Sequence, residues 1–217
     1  MSESFAIIPV REFNAAKLRL RPVLSEENRR LLSKALLTHV LGAIELSEIQ
    51  RIVVVASDTD EISRDFAKCS KLTLIKENVY HGGVNSAVSD ALKFLNLKSQ
   101  SKGLVFPSDL PMLNHHRIND VLGLLDKYEL VVNPSYKKNG TNLLGSTSLD
   151  RFAFHYDDDS YKKHVQEAEL RRLRFLTLDW DEFSFDIDDA DDLEMLIDIY
   201  KTTNFDEVFQ KISQVVD

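Results

Sequence analysis

The sequence predicts an α/β fold, a three-layer sandwich with a mostly parallel central sheet. Two observations predict it. From Phe5 to Asn133, short apolar or β-branched runs alternate with segments of helical periodicity, the pattern of strands joined by right-handed crossover helices. One of these runs, Leu104 to Phe106, stops at Pro107-Ser108-Asp109-Leu110-Pro111. Proline fixes its own φ and lacks the N–H that a central strand needs, so the two prolines hold this loop in one shape. Ligands of open α/β sheets bind beyond the carboxyl ends of the strands. Asp109, alone between the prolines, is therefore a candidate metal or phosphate-side ligand; the plain alternative is an Asp in a Pro-bounded turn.

The elements follow in order. Phe5 to Val10 is the first strand, stopped at Pro9-Val10-Arg11, and a polar loop carries Arg11, Lys17, Arg19 and Arg21. Ser25-Glu26-Glu27 starts a helix, because Ser caps free N–H groups and acids suit the positive end of the dipole. Leu32, Leu36, Val40 and Ile44 continue it at helical spacing. Ile52 to Ala56 is a run expected of a strand covered on both faces. A turn at Ser57 to Asp60 leads into a short helix ending near Lys68, and Leu72 to Ile75 is a third strand. His81-Gly82-Gly83 is a loop, Val84 to Leu97 a helix and Leu104 to Phe106 the fourth strand. Asn114 to Lys127 is helical and Leu130 to Asn133 is the fifth strand.

Beyond Asn133 the rhythm changes. A polar loop, Pro134 to Gly140, precedes Thr141-Asn142-Leu143-Leu144-Gly145 and an aromatic stretch, Phe152 to Tyr156. Ser160 to Leu170 is a helix with Ser160 as its expected cap, Leu173 to Leu178 a strand, and Phe185 to Asp188 a short strand end. Ala190 to Tyr200 and Phe205 to Val216 are closing helices. With no repeat, low-complexity segment or long linker, residues 1–217 are expected to form a single domain.

Composition narrows the function classes. Hydrophobic residues are 43% and charged residues 29% of 217, an ordinary soluble balance. No apolar run is long enough to span a bilayer and no signal peptide is apparent, so a cytoplasmic location is the expectation. The formal net charge of -8 disfavours broad binding to nucleic acid or anionic lipid. Cys69 is the single cysteine, which excludes an internal disulfide and a thiolate metal site. The six histidines show no metal-ligand spacing.

Asp186-Ile187-Asp188 is the second chemical signal. Residues i and i+2 of an extended segment share a face, and two carboxylates on one face call for a cation between them. Hard cations such as Mg²⁺ take oxygen ligands, usually a few carboxylates plus phosphate oxygens and water. Asp109, Asp186 and Asp188 could clamp Mg²⁺ and a polyphosphate. Asp-x-Asp is by itself a weak signal in an acidic chain.

Taken together and in order, the motifs are more specific. Ile8-Pro9-Val10 with Lys17-Leu18-Arg19-Leu20, Gly82-Gly83-Val84-Asn85, the Pro107–Pro111 loop, Gly140-Thr141-Asn142-Leu143-Leu144 and Asp186 to Leu193 resemble the CofC family, the guanylyltransferases of coenzyme F420 biosynthesis. The resemblance runs from Phe5 to about Leu196. It implies a nucleotide-diphospho-sugar-transferase-like, Rossmann-like fold. It also implies a reaction in which the phosphate of a three-carbon acid attacks the α-phosphorus of GTP and pyrophosphate leaves. On that resemblance the acceptor is 2-phospho-L-lactate, as in archaeal members; phosphoenolpyruvate or another phosphorylated acceptor is the alternative.

The resemblance also implies roles. Asp109, Asp186 and Asp188 would be Mg²⁺ ligands, Lys17 would neutralise phosphate charge together with Arg19, and Asp109 and Lys17 would be the catalytic residues. Pro9, Val10, Arg19, Gly83 and Asn85 would bind the nucleotide. Thr141 and Ser160 would hold the acceptor, Ser160 at a helix start where free N–H groups favour anions. No side-chain nucleophile is needed, because the attacking phosphate oxygen is already anionic. Each residue has an ordinary alternative: a solvated cation at Lys17 or Arg19, a turn at Thr141 and Asn142, a cap at Ser160.

Two departures from the family pattern stand out. A Gly-Pro-Gly-Ser-like loop in many relatives is here Asp157-Asp158-Asp159-Ser160, and Ala190 replaces a usual proline. Three aspartates oppose an anion where glycines would expose N–H groups to it, which keeps open a catalytically silent nucleotide-binding protein. A homodimer is expected only because symmetric dimers are the commonest oligomers.

Overall fold

The computed structural model describes residues 3–66, 69–77, 82–97 and 101–202. The expected loop at His81, the helix end near Lys68 and the last helix, 205–216, lie outside them wholly or in part.

Four parallel strands form one half of the sheet: β1 (Ser4–Val10), β2 (Arg51–Ala56), β3 (Leu72–Lys76) and β4 (Lys102–Val105). The other half holds β5 (Leu130–Pro134), β6 (Thr141–Ser146) and β7 (Phe175–Thr177). The order is β3-β2-β1-β4-β6-β5-β7. Among the described strands only β6 runs against its neighbours, so the sheet is mostly parallel. A tight loop joins β5 to β6, with the Ser135 N–H donating to the Gly140 carbonyl at 2.9 Å, and a short connection returns the chain antiparallel. The sequence did not mark Thr141 to Ser146 as a strand. All six residues are buried, so polar–apolar alternation is absent, and Asn142 and Gly145 are poor strand formers.

Helices cover both faces. β1 shows the period-2 division: Ala6, Ile8 and Val10 enter one core with Leu37, Val40, Leu41 and Ile44 of α1 (Glu26–Glu45) and Ile118, Val121 and Leu122 of α4 (His115–Leu124). Phe5 and Ile7 enter the other, with Ala87, Val88, Ala91 and Leu95 of α3 (Val84–Leu95) and Ala168 of α5 (Ser160–Leu170). The short α2 (Thr59–Asp65) follows β2, and α6 (Asp181–Ser184) follows β7. A third apolar cluster packs Leu32 and Leu36 of α1 on Phe185, Ile187 and Leu193, the last from α7 (Ala190–Thr202).

Local signals explain most boundaries. The Ser25 hydroxyl accepts from the Asn28 N–H and the Asn114 side chain from the Arg117 N–H, both at 3.1 Å, starting α1 and α4. Two expectations change. Ser160 is the first residue of α5 rather than its cap; Asp159 holds the cap position with φ 56 and makes no side-chain cap bond. Phe185 to Asp188 is not part of a strand, because α6 turns the chain immediately before it.

Candidate active site

Because β1 to β4 are parallel, their carboxyl ends share one edge of the sheet. The chain adds β2 and β3 on one side of β1, then returns to place β4 on the other. Such a switch point opens a crevice. The loops after β1 and β4 flank it and carry Lys17 and Asp109. A cavity of about 660 Å³ occupies this edge, lined among others by Pro9, Val10, Lys17, Arg19, Gly83, Asp109, Asp186 and Asp188.

Lys17 is the centre of the charged end. Its ammonium donates to Asp109 Oδ2 and to the Ile187 carbonyl, and lies 3.7 Å from Asp188 Oδ1. The Lys17 side chain is 8% exposed and that of Asp109 16%. Burial alone would lower the Lys17 pKa; the charges of Asp109 and then Asp188, with the Asp109 hydrogen bond, outweigh it and hold the group above its usual value. The ammonium is therefore a fixed positive charge. Lys17 also has φ 54, a left-handed conformation that costs a non-glycine residue roughly 1–2 kcal/mol. Its charge partners hold it there. Arg19, 74% exposed, approaches Asp188 Oδ2 at 3.8 Å and stands at the cavity mouth.

Asp186 is positioned from β6. The Asn142 side-chain amide donates to Asp186 Oδ1 and to the Ser184 carbonyl, both at 3.0 Å. Burial first, then the Asp109 charge, push the Asp186 carboxyl up to about 6, against the opposing Asn142 bond. Asn142 had no role assigned from sequence beyond a turn. Its place in a buried strand reaching the Asp-x-Asp segment is a tertiary fact.

As they stand, the three aspartates are not a closed metal cage. Among the described residues, no group of three or more His, Cys, Asp and Glu side chains is gathered to hold a metal ion. The Lys17 ammonium takes the place between carboxylates that repel one another. The donor set nevertheless fits a hard cation. It offers oxygen only, it sets three carboxylates against one buried ammonium, and Asp109 Oδ1 is buried with no hydrogen-bond partner among the described residues.

Gly83 lines the cavity with φ 110, at the cap position of α3; a side chain is disfavoured at that φ. The remaining residues expected at the site are not cavity-lining. The Asn85 side chain accepts from the Tyr156 N–H at 2.8 Å and so ties α3 to the aromatic stretch. Thr141 and Ser160 are buried neighbours, 3.4 Å apart between hydroxyls. Thr141 is also bonded to His164 Nδ1 at 2.9 Å. Since the His155 backbone N–H donates to His164 Nε2, the neutral ring carries its proton on Nδ1 and donates it to Thr141. Asp157 pairs with Lys163 at 3.0 Å, which neutralises part of the acidic loop. Sequence reasoning did not select Glu77, which lines the cavity just beyond β3; its position directly after a parallel strand was the available signal.

The sheet order, with helices on both faces and the cavity at its switch point, defines an open α/β fold of the Rossmann-like kind. A crystal structure from Desulfovibrio desulfuricans G20, provisionally described as a nucleotide-diphospho-sugar transferase, superposes with a TM-score of 0.78 at 19% identity, covering 100% of this chain and 97% of that one. The family model described as "Guanylyl transferase CofC like" matches residues 4–217. The chain belongs to that family. It is 35% identical over 187 residues to the 2-phospho-L-lactate guanylyltransferase of Methanocaldococcus vulcanius, covering 86% of this chain and 81% of the relative. It is 32% identical over 192 residues to the phosphoenolpyruvate guanylyltransferase of Roseiflexus sp. (strain RS-1), covering 87% and 82%.

Proposed function

We propose that the protein transfers GMP from GTP to the phosphate of 2-phospho-L-lactate and releases pyrophosphate, in the biosynthesis of coenzyme F420. The observation that carries this reading is the Lys17 ammonium, buried against Asp109 and Asp188 at the switch-point cavity of a CofC-family chain. The name of the Methanocaldococcus relative supports the acceptor.

The chemistry needs no side-chain nucleophile. An acceptor phosphate oxygen forms a bond to the α-phosphorus, the bond to the bridging β-phosphate oxygen breaks, and pyrophosphate leaves with that electron pair. The barrier is the repulsion of two polyanions, so positioning and electrostatics dominate. Lys17 brings a permanent positive charge, and Arg19 can reach a phosphate from the mouth. Pro9, Val10 and Gly83 shape the nucleotide end of the cavity. Asp109, Asp186 and Asp188 would hold Mg²⁺, which when bound neutralises phosphate and pyrophosphate charge. Thr141 and Ser160 are assigned to the acceptor by the family pattern alone, since their hydroxyls are buried beside His164 behind the cavity lining, and Asn85 ties α3 to the neighbouring aromatic stretch. The working location is the cytoplasm and the working assembly a homodimer; among the described residues no helix is long and apolar enough to cross a membrane.

The test is pyrophosphate release from GTP and Mg²⁺ with 2-phospho-L-lactate or phosphoenolpyruvate supplied in parallel. Release dependent on 2-phospho-L-lactate is expected. Release only with phosphoenolpyruvate would reassign the acceptor, and folded protein that releases none with either would overturn the reading.

A further inference from the structure

The cavity holds a fourth carboxylate that the charged end does not use. Asp109, Asp186 and Asp188 surround Lys17, with Arg19 beside them. Glu77 lies elsewhere on the same lining. It follows β3, whereas Asp109 follows β4, and the sheet order places β2 and β1 between them. Three strand spacings of about 4.8 Å separate these ends by roughly 14 Å. An anion at that remove, in a cavity read as a polyphosphate site, is misplaced for phosphate and well placed for a base.

The side chain is also oriented. The Glu77 backbone N–H donates to the Ala56 carbonyl at 2.8 Å, fixing the residue to the end of β2. The Gly83 N–H donates to Glu77 Oε1 at 3.1 Å, so the carboxylate links the β3 end to the start of α3. Glu77 lines the cavity, and no ion pair engages it among the described residues.

A carboxylate is acceptor-only and accepts two parallel donors well. Among the common bases, guanine alone presents two adjacent donors on one edge, N1–H and the 2-amino group. Adenine and cytosine put a ring-nitrogen lone pair next to their amino group, which would face the anion. Uracil offers a single N–H between two carbonyls. We propose that Glu77 is the residue that selects guanine, accepting from N1–H and the 2-amino group while Gly83 holds the carboxylate in place. This rests on the cavity being the nucleotide site and deepens the proposed function by assigning its base preference.

The experiment uses the full chain with Mg²⁺. Dissociation constants for GTP, ITP and ATP are measured by calorimetry without acceptor, alongside pyrophosphate release with 2-phospho-L-lactate. ITP lacks the 2-amino group, and wild type is expected to bind it about 10- to 100-fold more weakly than GTP, the range for a lost hydrogen bond to a charged group. Glu77→Gln keeps an oxygen for the Gly83 N–H but presents an NH₂ to the base. It is expected to weaken GTP by a similar factor and to bring the GTP-to-ITP ratio close to one, with an unchanged melting temperature. Glu77→Ala, which also frees Gly83, should weaken all three nucleotides. Equal binding of GTP and ITP by wild type, an unchanged ratio in Glu77→Gln, or no nucleotide binding by folded wild type each overturns the proposal. Selective GTP binding without pyrophosphate release would sink the proposed reaction and leave the Glu77 assignment standing. Release with an unaltered ratio in Glu77→Gln would do the reverse.

Discussion

The Asn142 side-chain amide donates to Asp186 Oδ1 at 3.0 Å, joining the one antiparallel strand to the Asp-x-Asp segment. This bond favours the charged form of a carboxyl that burial and the Asp109 charge nevertheless push up to about 6. Protons and a cation compete for such a group. Mg²⁺ affinity is therefore expected to fall as pH drops through about 6, and Asn142→Leu should move that fall to higher pH. Magnesium titrations at pH 5.5 and 7.5 check both; identical curves would remove Asp186 from the proposed ligand set.

Lys17 and Asp109 form a mostly buried ion pair, and removing one member of such a pair typically costs about 3–5 kcal/mol. Lys17→Met leaves three aspartates without their ammonium. It should lower the melting temperature by several degrees and abolish most turnover. Added Mg²⁺ should stabilise this variant more than wild type, since a dication can replace the missing charge. Thermal melts with and without Mg²⁺ give the answer, and equal shifts would count against the exchange of cations.

Asp109→Asn keeps the shape of the side chain, and its amide oxygen can still accept from the Lys17 ammonium. The expected result is a folded protein whose kcat falls at least 100-fold, in line with the loss of a group that stabilises developing charge. Near-wild-type turnover would remove Asp109 from the catalytic set.

His164 is fully buried, and its pKa is lowered to about 3, chiefly by burial. The unfolded chain binds a proton near the ordinary value of about 6.5. Between these values the unfolded state holds the extra proton, so stability is full above about pH 6.5 and falls as pH drops toward 3. The slope from this one group is at most about 1.4 kcal/mol per pH unit. Denaturant midpoints at pH 4.5 and 7.5 should differ accordingly, and His164→Asn should reduce the difference.

Ser25 caps α1, and its hydroxyl accepts from the Asn28 N–H. Ser25→Ala should cost about 1 kcal/mol of stability with kcat unchanged. Urea midpoints and steady-state rates together separate this scaffold role from any role at the site.

The readable part of the fold was the part governed by local rules. Ile52 to Ala56 could only be a doubly covered strand, and Ser25 could only favour a helix start. The prolines around Asp109 announced a rigid loop at a strand end. Thr141 to Ser146 was opaque because burial on both faces erases alternation. α6 was missed because a helix of four residues, Asp181–Ser184, carries almost no periodicity.

For the candidate site, the sequence by itself determined the residue types: one lysine in the loop after β1, an aspartate after β4, an Asp-x-Asp segment near the end. Their order in the chain also carried the family resemblance. Tertiary structure alone decided that Lys17 would lie between Asp109 and Asp188, residues 92 and 171 positions away in the chain. It also decided that Asn142 would hold Asp186 and that Glu77 would face the same cavity. The reason is that strand order, and with it which strand ends become neighbours, is set by packing of the whole sheet against two helical layers. Local sequence fixes how a segment folds, while the meeting of distant charges depends on the burial that every segment contributes to.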